Sequence, residues 1–314
     1  MKCWQYAAGE PWAITESALN KILVIASRQD VSLEGDSGAL SKEPKFSTGV
    51  RHAQGVAILS VTGPLFRYAN VFTAISGATS YELLANDFAA ALDDPSVQAI
   101  LLDIDSPGGE VNGCAELASR IFNARGQKPI LAYASGDAAS GAYWIASACD
   151  EIVVSETSGI GSIGVVAVYR DSTSSKATEI VSSQSPYKRL NPNNDNDRSR
   201  LQSRIDDLAN VFIESVAKHR GVDPPTVIDG FGGGDVFIGK HAVNQGLADR
   251  VGTLVDTLND MTTTLNPVLV RGSSFLVSEE SLMTDHSTKA ETNEQAVLSL
   301  DHLKKHHPGL IDAI

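Results

Sequence analysis

VQAILLDID at residues 97–105 runs into Ser106-Pro107-Gly108-Gly109 and then into a helical pattern from about Glu110 to Asn123. The first nine residues are of strand length and mostly apolar, the pattern of a strand covered on both faces. The paired glycines allow a sharp turn with bare N–H groups at its exit. Working outward, the same alternation recurs. GVAILSVTGPL (55–65) reads as a strand, and SYELLANDFAAALDD (80–94) as a helix with Ser80 near its cap. PILAYAS (129–135) is a strand, residues 140–149 a short helix of small residues, and EIVVSE (151–156) and GVVAVYR (164–170) strands again. This order predicts an α/β domain with a largely parallel sheet flanked by helices.

The flanks read differently. Residues 12–28 fit an amphipathic helix with Thr15 as N-cap and apolar positions at Leu19, Ile22, Leu23 and Ile25. Residues 29–50, rich in Ser, Gly, Asp and Lys, read as a linker. An Asn/Asp-rich turn at 190–200 leads into a long helix over roughly 198–219, and 237–257 into a helix and closing strand. Past Thr262 the pattern weakens. Residues 272–295 read as a flexible linker, and a last helix is expected near Thr292, with Ala296, Val297, Leu300 and Leu303 on it. The expected organisation is an arm and linker over 1–50, a main domain over 51–262 and a tail over 263–314.

The 314 residues carry a formal charge of −13 and are 42% hydrophobic, enough for a sizeable core. Such an acidic chain offers no electrostatic attraction to nucleic acid or anionic membranes. Cys3, Cys114 and Cys149 form no CxxC pair, so neither a disulfide framework nor a zinc site is signalled. No signal-peptide core and no apolar run of about 18 residues is present, so a soluble, cytoplasmic protein without a membrane partner is expected.

Three glycine-bearing turns end predicted strands, where open α/β sheets place their sites. The Ser106–Gly109 turn could present oxyanion amides. In Ala138-Ala139-Ser140-Gly141, a serine stands between small residues at a helix start, with the next amide free to donate. It is not a GxSxG elbow, because Ala138 replaces the first glycine. The third turn is Ser158–Gly164. Each alone also fits an ordinary turn or tight helix packing. A serine nucleophile needs a base, and four of the seven histidines lie in the tail, so a Ser–His–Asp triad is not signalled. Lysine is the other choice, provided that burial or nearby cations lower its affinity for a proton. Lys188 follows EIVSSQSPY (179–187), although a solvated surface lysine fits the same position.

Together, LLDIDSPGG (101–109), DAASGAYWIASACD (137–150), SGIGSIGVV (158–166) and SPYKRLNP (185–192) resemble the signal peptide peptidase A family of the ClpP/crotonase-like superfamily. The resemblance covers roughly residues 54–258 and extends to FIGKHAVNQGLADRVGTL (237–254) as the family's closing helix and strand. It implies a serine peptidase with Ser140 as nucleophile, Lys188 as general base, Ser162 orienting the lysine, and Gly109 and Gly141 supplying the oxyanion amides. It implies no metal or organic cofactor. PWAIT (11–15) and the missing membrane anchor look like the phage capsid-assembly branch. There the substrates would be scaffold, portal or coat protein, or the chain's own tail, cleaved during head assembly and maturation in the host cytoplasm or inside procapsids. A homo-oligomer is expected by the same analogy. In that branch a scaffold segment often follows the protease, and Met283 is a candidate internal start for one.

Three other functions share parts of this pattern. They are degradation of signal or other peptides, a crotonase-type reaction on acyl-CoA, and a non-catalytic assembly platform. The Ser140–Lys188 pair separates the peptidase readings from the last two. Two further motifs are decoys. Gly234–His241 begins like a P-loop but has His241 where Ser or Thr should hold magnesium. The acidic turn 193–197 lacks the glycine and terminal glutamate of an EF-hand.

Overall fold

The computed structural model describes residues 10–27, 50–69, 78–169 and 181–265. Most of the linker expected at 29–50, the tail past Leu265, its last helix and Met283 lie outside these residues.

In chain order the strands are β1 (Pro11–Ile14), β2 (Arg51–Ala53), β3 (Val56–Thr62), β4 (Leu65–Phe66), β5 (Thr79–Ser80), β6 (Ala99–Ser106), β7 (Gly108–Glu110), β8 (Ile130–Ala139), β9 (Glu151–Val154), β10 (Gly159–Gly161), β11 (Val166–Ala167), β12 (Val236–Ile238) and β13 (Arg250–Val251). The α-helices are α1 (Glu16–Ser27), α2 (Tyr81–Asp93), α3 (Cys114–Asn123), α4 (Gly141–Ser147), α5 (Asp195–Arg220), α6 (Lys240–Asn244) and α7 (Leu254–Leu265).

The larger sheet has the order β12-β10-β8-β6-β3-β2, with β9 also on β8 and β13 on β9. Its interior pairs, β3–β6, β6–β8, β8–β9 and β8–β10, are parallel, while β2 and β12 add antiparallel edges. Strand β6 shows why its sequence is so uniformly apolar. Ile100, Leu102 and Ile104 enter the main core, whereas Ala99 and Leu101 join Val56, Ile58, Leu131, Tyr133, Val153 and Met261 on the opposite face. Alternate side chains are thus buried in different layers. Helix α7 covers the second layer through Leu254, Leu258 and Met261.

Helix α4 lies inside the main core, with every residue from Gly141 to Ser147 buried. Its small residues let it sit close to the sheet, and Trp144 stacks on Phe212 of α5 with centroids 4.3 Å apart and planes 6° from parallel. The α5 N-cap is Asn194, whose side chain accepts from the Asn196 and Asp197 amides, and Gly221 closes the helix in the left-handed conformation. Residues 193–197 thus serve as a helix cap.

A second, five-stranded sheet of order β11-β1-β7-β4-β5 stands beside the first. It corrects two expectations. The helix expected over 12–28 begins only at Glu16, because Trp12, Ala13 and Ile14 form β1 between β7 and β11. The helix expected from Glu110 begins at Cys114, because Gly108–Glu110 pair as β7 and Gly113, at φ 95°, turns the chain into α3. Both segments are held by long-range pairing that local periodicity does not register. The C-terminal part also adds β12 ahead of α6, with α7 following β13.

Candidate active site

Three of the parallel strands end side by side. Ser106 of β6 is level with Ala138 of β8, and Ala138 with Ile160 of β10. The Ser106–Gly109, Ser140–Gly141 and Gly161–Gly164 turns therefore leave the sheet along one row. Carboxylates tie them together: Asp105 accepts from the Asp137 amide at 3.2 Å, and Asp137 accepts from the Gly159 amide at 3.2 Å. Ser106 Oγ donates to the Gly63 carbonyl at 2.7 Å and accepts from the Gly108 amide at 3.2 Å.

Ser140 occupies the corner between β8 and α4 with φ 54° and ψ −120°, a conformation L residues seldom adopt. Its amide donates to the Gly161 carbonyl at 2.7 Å, which fixes the corner to the third turn. The residue is 1% exposed, and its Oγ has no hydrogen-bond partner. A buried hydroxyl without a partner carries a desolvation cost of about 1–3 kcal/mol. That cost and the backbone strain coincide on the residue singled out as nucleophile.

The glycine amides converge beside it. A Cβ on Gly141 would stand 3.4 Å from the Gly109 nitrogen, and one on Gly108 would stand 2.9 Å from the Gly141 nitrogen. Gly109 has no room for a side chain, since its Cβ would fall 1.9 Å from the Leu65 carbonyl oxygen. Beneath this wall, the Tyr81 hydroxyl donates to the Glu110 carbonyl at 2.8 Å and Cys114 Sγ donates to the Gly141 carbonyl at 3.3 Å. Burial pushes the Cys114 thiol up to about 12, so it stays protonated as a donor. Ser162 is the third predicted residue on this row. It is half-buried at φ 54°, and its amide donates to the Asp235 carbonyl at 2.7 Å.

Lys188 is placed differently. It ends a 3₁₀ turn, Pro186–Lys188, and is exposed, as are its neighbours from Ser182 to Arg189. It makes no hydrogen bond to Ser140 Oγ. Ser140, Gly109, Gly141 and Ser162 are thus gathered at one row of strand ends, and Lys188 is not bonded to them. The described part of the segment before it, 181–185, is not a strand, so the enclosing pocket expected for the lysine is absent among the described residues of this single chain.

Three features went unread in the sequence. Arg125 donates to the carbonyls of Ser147 (2.9 Å), Ala148 (2.8 Å), His219 (3.2 Å) and Cys149. It thereby caps the C-terminal end of α4, the helix whose N-cap is Ser140. His219, on α5, meets Ser147 Oγ through Nδ1 at 2.9 Å and stacks on Phe122. Burial, aided by Arg125 and Lys218, lowers its pKa to about 4. A lone arginine in the turn after α3 and a lone histidine in α5 carry no motif that could have disclosed these contacts. The third unread feature is β1, whose Ala13 carbonyl oxygen lies 3.1 Å from the Cβ position of Gly141.

Comparison with known proteins gives a family and several relatives. Residues 123–267 match the model of Peptidase family S49. The chain is 34% identical over 235 residues to the head-tail preconnector protein GP5 of Enterobacteria phage P21, across 72% of this chain and 46% of the relative. It is 30% identical over 277 residues to the capsid assembly protease C of Escherichia phage lambda, across 85% of this chain and 60% of that one. It is also 34% identical over 176 residues to Protease 4 of Salmonella typhi, across 52% of this chain and 28% of the relative. The chain thus spans about half the length of these phage relatives. No described helix is long and apolar enough to cross a membrane. The strained Ser140 lies within the matched segment, and residues 123–267 are a peptidase family S49 domain.

Proposed function

We propose that this chain is a serine endopeptidase in which Ser140 is the nucleophile and Lys188 the general base, acting on proteins of a phage head during assembly and maturation. The observation that carries the proposal is Ser140 itself. It is a strained, buried serine with a free Oγ at a helix start, next to the Gly109 and Gly141 amides. The capsid context rests on the names of the phage P21 and lambda relatives.

In the proposed reaction neutral Lys188, held by Ser162, takes the Ser140 proton as Oγ attacks the scissile carbonyl. The Gly109 and Gly141 amides hold the developing oxyanion, each contributing about 3 kcal/mol to transition-state stabilisation. Lys188 then protonates the leaving amine, and water releases the acyl group by the reverse proton path. Lys188 is exposed and Ser140 buried in the single chain, so the pair needs a further event to close. We propose that the event is assembly, with the exposed turn of one copy reaching the serine of another.

The experiment incubates the full chain with candidate scaffold, portal and coat proteins and reads cleavage by intact mass. Wild type should cut, and folded Ser140→Ala and Lys188→Ala variants should not. Mixing the two inactive variants should restore cutting. Equal cutting by all three chains would refute the dyad. Inactive single variants that stay inactive when mixed would refute only its completion between copies.

A further inference from the structure

Strand β1 lies where an extended peptide would have to lie to reach Ser140. It is flanked on one edge by β7, which carries Gly109, and on the other by β11, which follows the Gly161–Gly164 turn. Both pairings are antiparallel, with Ala13 opposite Gly109 and Trp12 opposite Val166. The ladder bonds on the β7 side include Val111 N–H to the Pro11 carbonyl at 3.2 Å and Thr15 N–H to the Pro107 carbonyl at 3.0 Å. Bonded and non-bonded pairs alternate in an antiparallel ladder. The pair midway between these two, Ala13 and Gly109, is therefore bonded as well, and the Gly109 N–H is directed at the Ala13 carbonyl. That carbonyl oxygen is also the nearest atom to the Cβ positions of both Gly108 and Gly141, at 2.2 and 3.1 Å.

The side chains alternate in the same sense. Ala13 faces the main core, where Leu65 and Tyr81 also lie. Trp12 and Ile14 face the other way, into a small separate cluster with Leu19, Ile22 and Phe66. Trp12 meets Phe66 edge-on at 6.0 Å.

We infer that Pro11–Ile14 occupies the substrate groove of this site as a built-in competitor, in the register of a bound peptide with Ala13 as the residue whose carbonyl faces the oxyanion amides. The inference rests on reading Gly109 and Ser140 as catalytic and deepens that reading in two ways. It assigns the substrate class: an extended segment bonded along both edges, with an alanine-sized residue at the attacked carbonyl and larger apolar residues on either side. It also states that a substrate gains the groove only by displacing β1. A tethered competitor acts at an effective concentration of about millimolar, so its removal should strengthen binding of a free peptide considerably. Its anchor, the Trp12 cluster, is distinct from the main core, so β1 can be loosened with the main core intact.

The test uses a fluorescein-labelled peptide with the sequence of residues 8–17, AGEPWAITES. Its affinity is read by fluorescence polarisation on the full-length Ser140→Ala chain, which cannot turn it over, with and without Trp12→Ala. A second variant, Thr15→Pro, deletes the Thr15–Pro107 bond without opening a cavity and serves should Trp12→Ala fail to fold. The peptide should bind either loosened chain at least tenfold more tightly than the parent. Equal affinity in all folded chains, or binding to none of them, would overturn the proposal. Hydrolysis of the same peptide is then measured with Ser140 restored. Binding to the loosened chains without hydrolysis would count against the proposed Ser140–Lys188 chemistry and leave the occupancy of the groove standing.

Discussion

Gly109→Ala strikes the catalytic and the structural use of this glycine together. The added Cβ would fall 1.9 Å from the Leu65 carbonyl oxygen, 2.5 Å from the Leu65 carbonyl carbon and 2.6 Å from its Cα. All three are backbone atoms of β4, the neighbouring strand, so no side-chain rotation relieves the clash. Ordinary contact requires β4 and β7 to part by about 1.5 Å, at a folding cost of about 1–3 kcal/mol for overpacking. Parting them also displaces the Gly109 amide, and losing one oxyanion donor costs a factor of about 10²–10³ in kcat. The control is Gly164→Ala in the third turn, where an added Cβ meets nothing within 4 Å and should change stability by less than about 0.5 kcal/mol. Urea unfolding and kcat on an alanine-containing peptide would be measured for both. A Gly109→Ala enzyme that keeps wild-type kcat would refute the assignment of its amide to the oxyanion. Equal damage from Gly164→Ala would refute the steric argument.

Three further outcomes are expected. Trp144→Ala and Phe212→Ala should each lower unfolding free energy by about 3–5 kcal/mol, and the double variant should lose less than the sum, because the stacked pair is removed only once. Arg125→Lys should not rescue Arg125→Met in thermal unfolding, since one ammonium cannot serve four carbonyls placed for a guanidinium fork, and both variants should lose about 2 kcal/mol or more. His219 is held neutral in the folded chain with a pKa of about 4, below its unfolded value near 6.5, so the unfolded chain binds the extra proton between these values. Its contribution is complete above pH 6.5 and declines as pH falls towards 4, by up to about 1.4 kcal/mol per pH unit. His219→Asn should flatten that part of a urea-midpoint profile relative to wild type.

How far the sequence disclosed this arrangement follows from which forces act locally. The apolar run 97–105 is legible because a strand buried on both faces has no choice of composition, and the opposed layers beneath Leu101 and Leu102 account for it. Ser80 and the long helix after the Asn/Asp-rich turn are legible because caps are short-range chemistry, though the helix begins at Asp195, inside that turn. Ser140, Gly109 and Gly141 are legible as motifs, and the strand ends bring them together. The second sheet is legible only in β11, inside the strand expected at 164–170, and in Leu65 of β4, since strands of two to four residues have no period to detect and are stabilised by partners far along the chain. The same limit left Trp12–Ile14 inside an expected helix, although its expected cap, Thr15, directly precedes the observed start at Glu16. Lys188 as base rests only on the family pattern: among the described residues nothing local to the Pro186–Lys188 turn encloses an ammonium, and the turn is exposed.

The most direct test of the central claim is to trap the acyl-enzyme. The full chain would be incubated with an activated peptide ester ending in alanine, and the adduct located by intact mass and peptide mapping. The account predicts one acyl group, carried by Ser140, absent in Ser140→Ala and formed far more slowly in Lys188→Ala. An adduct on another residue, or equal acylation of folded Ser140→Ala, would contradict it.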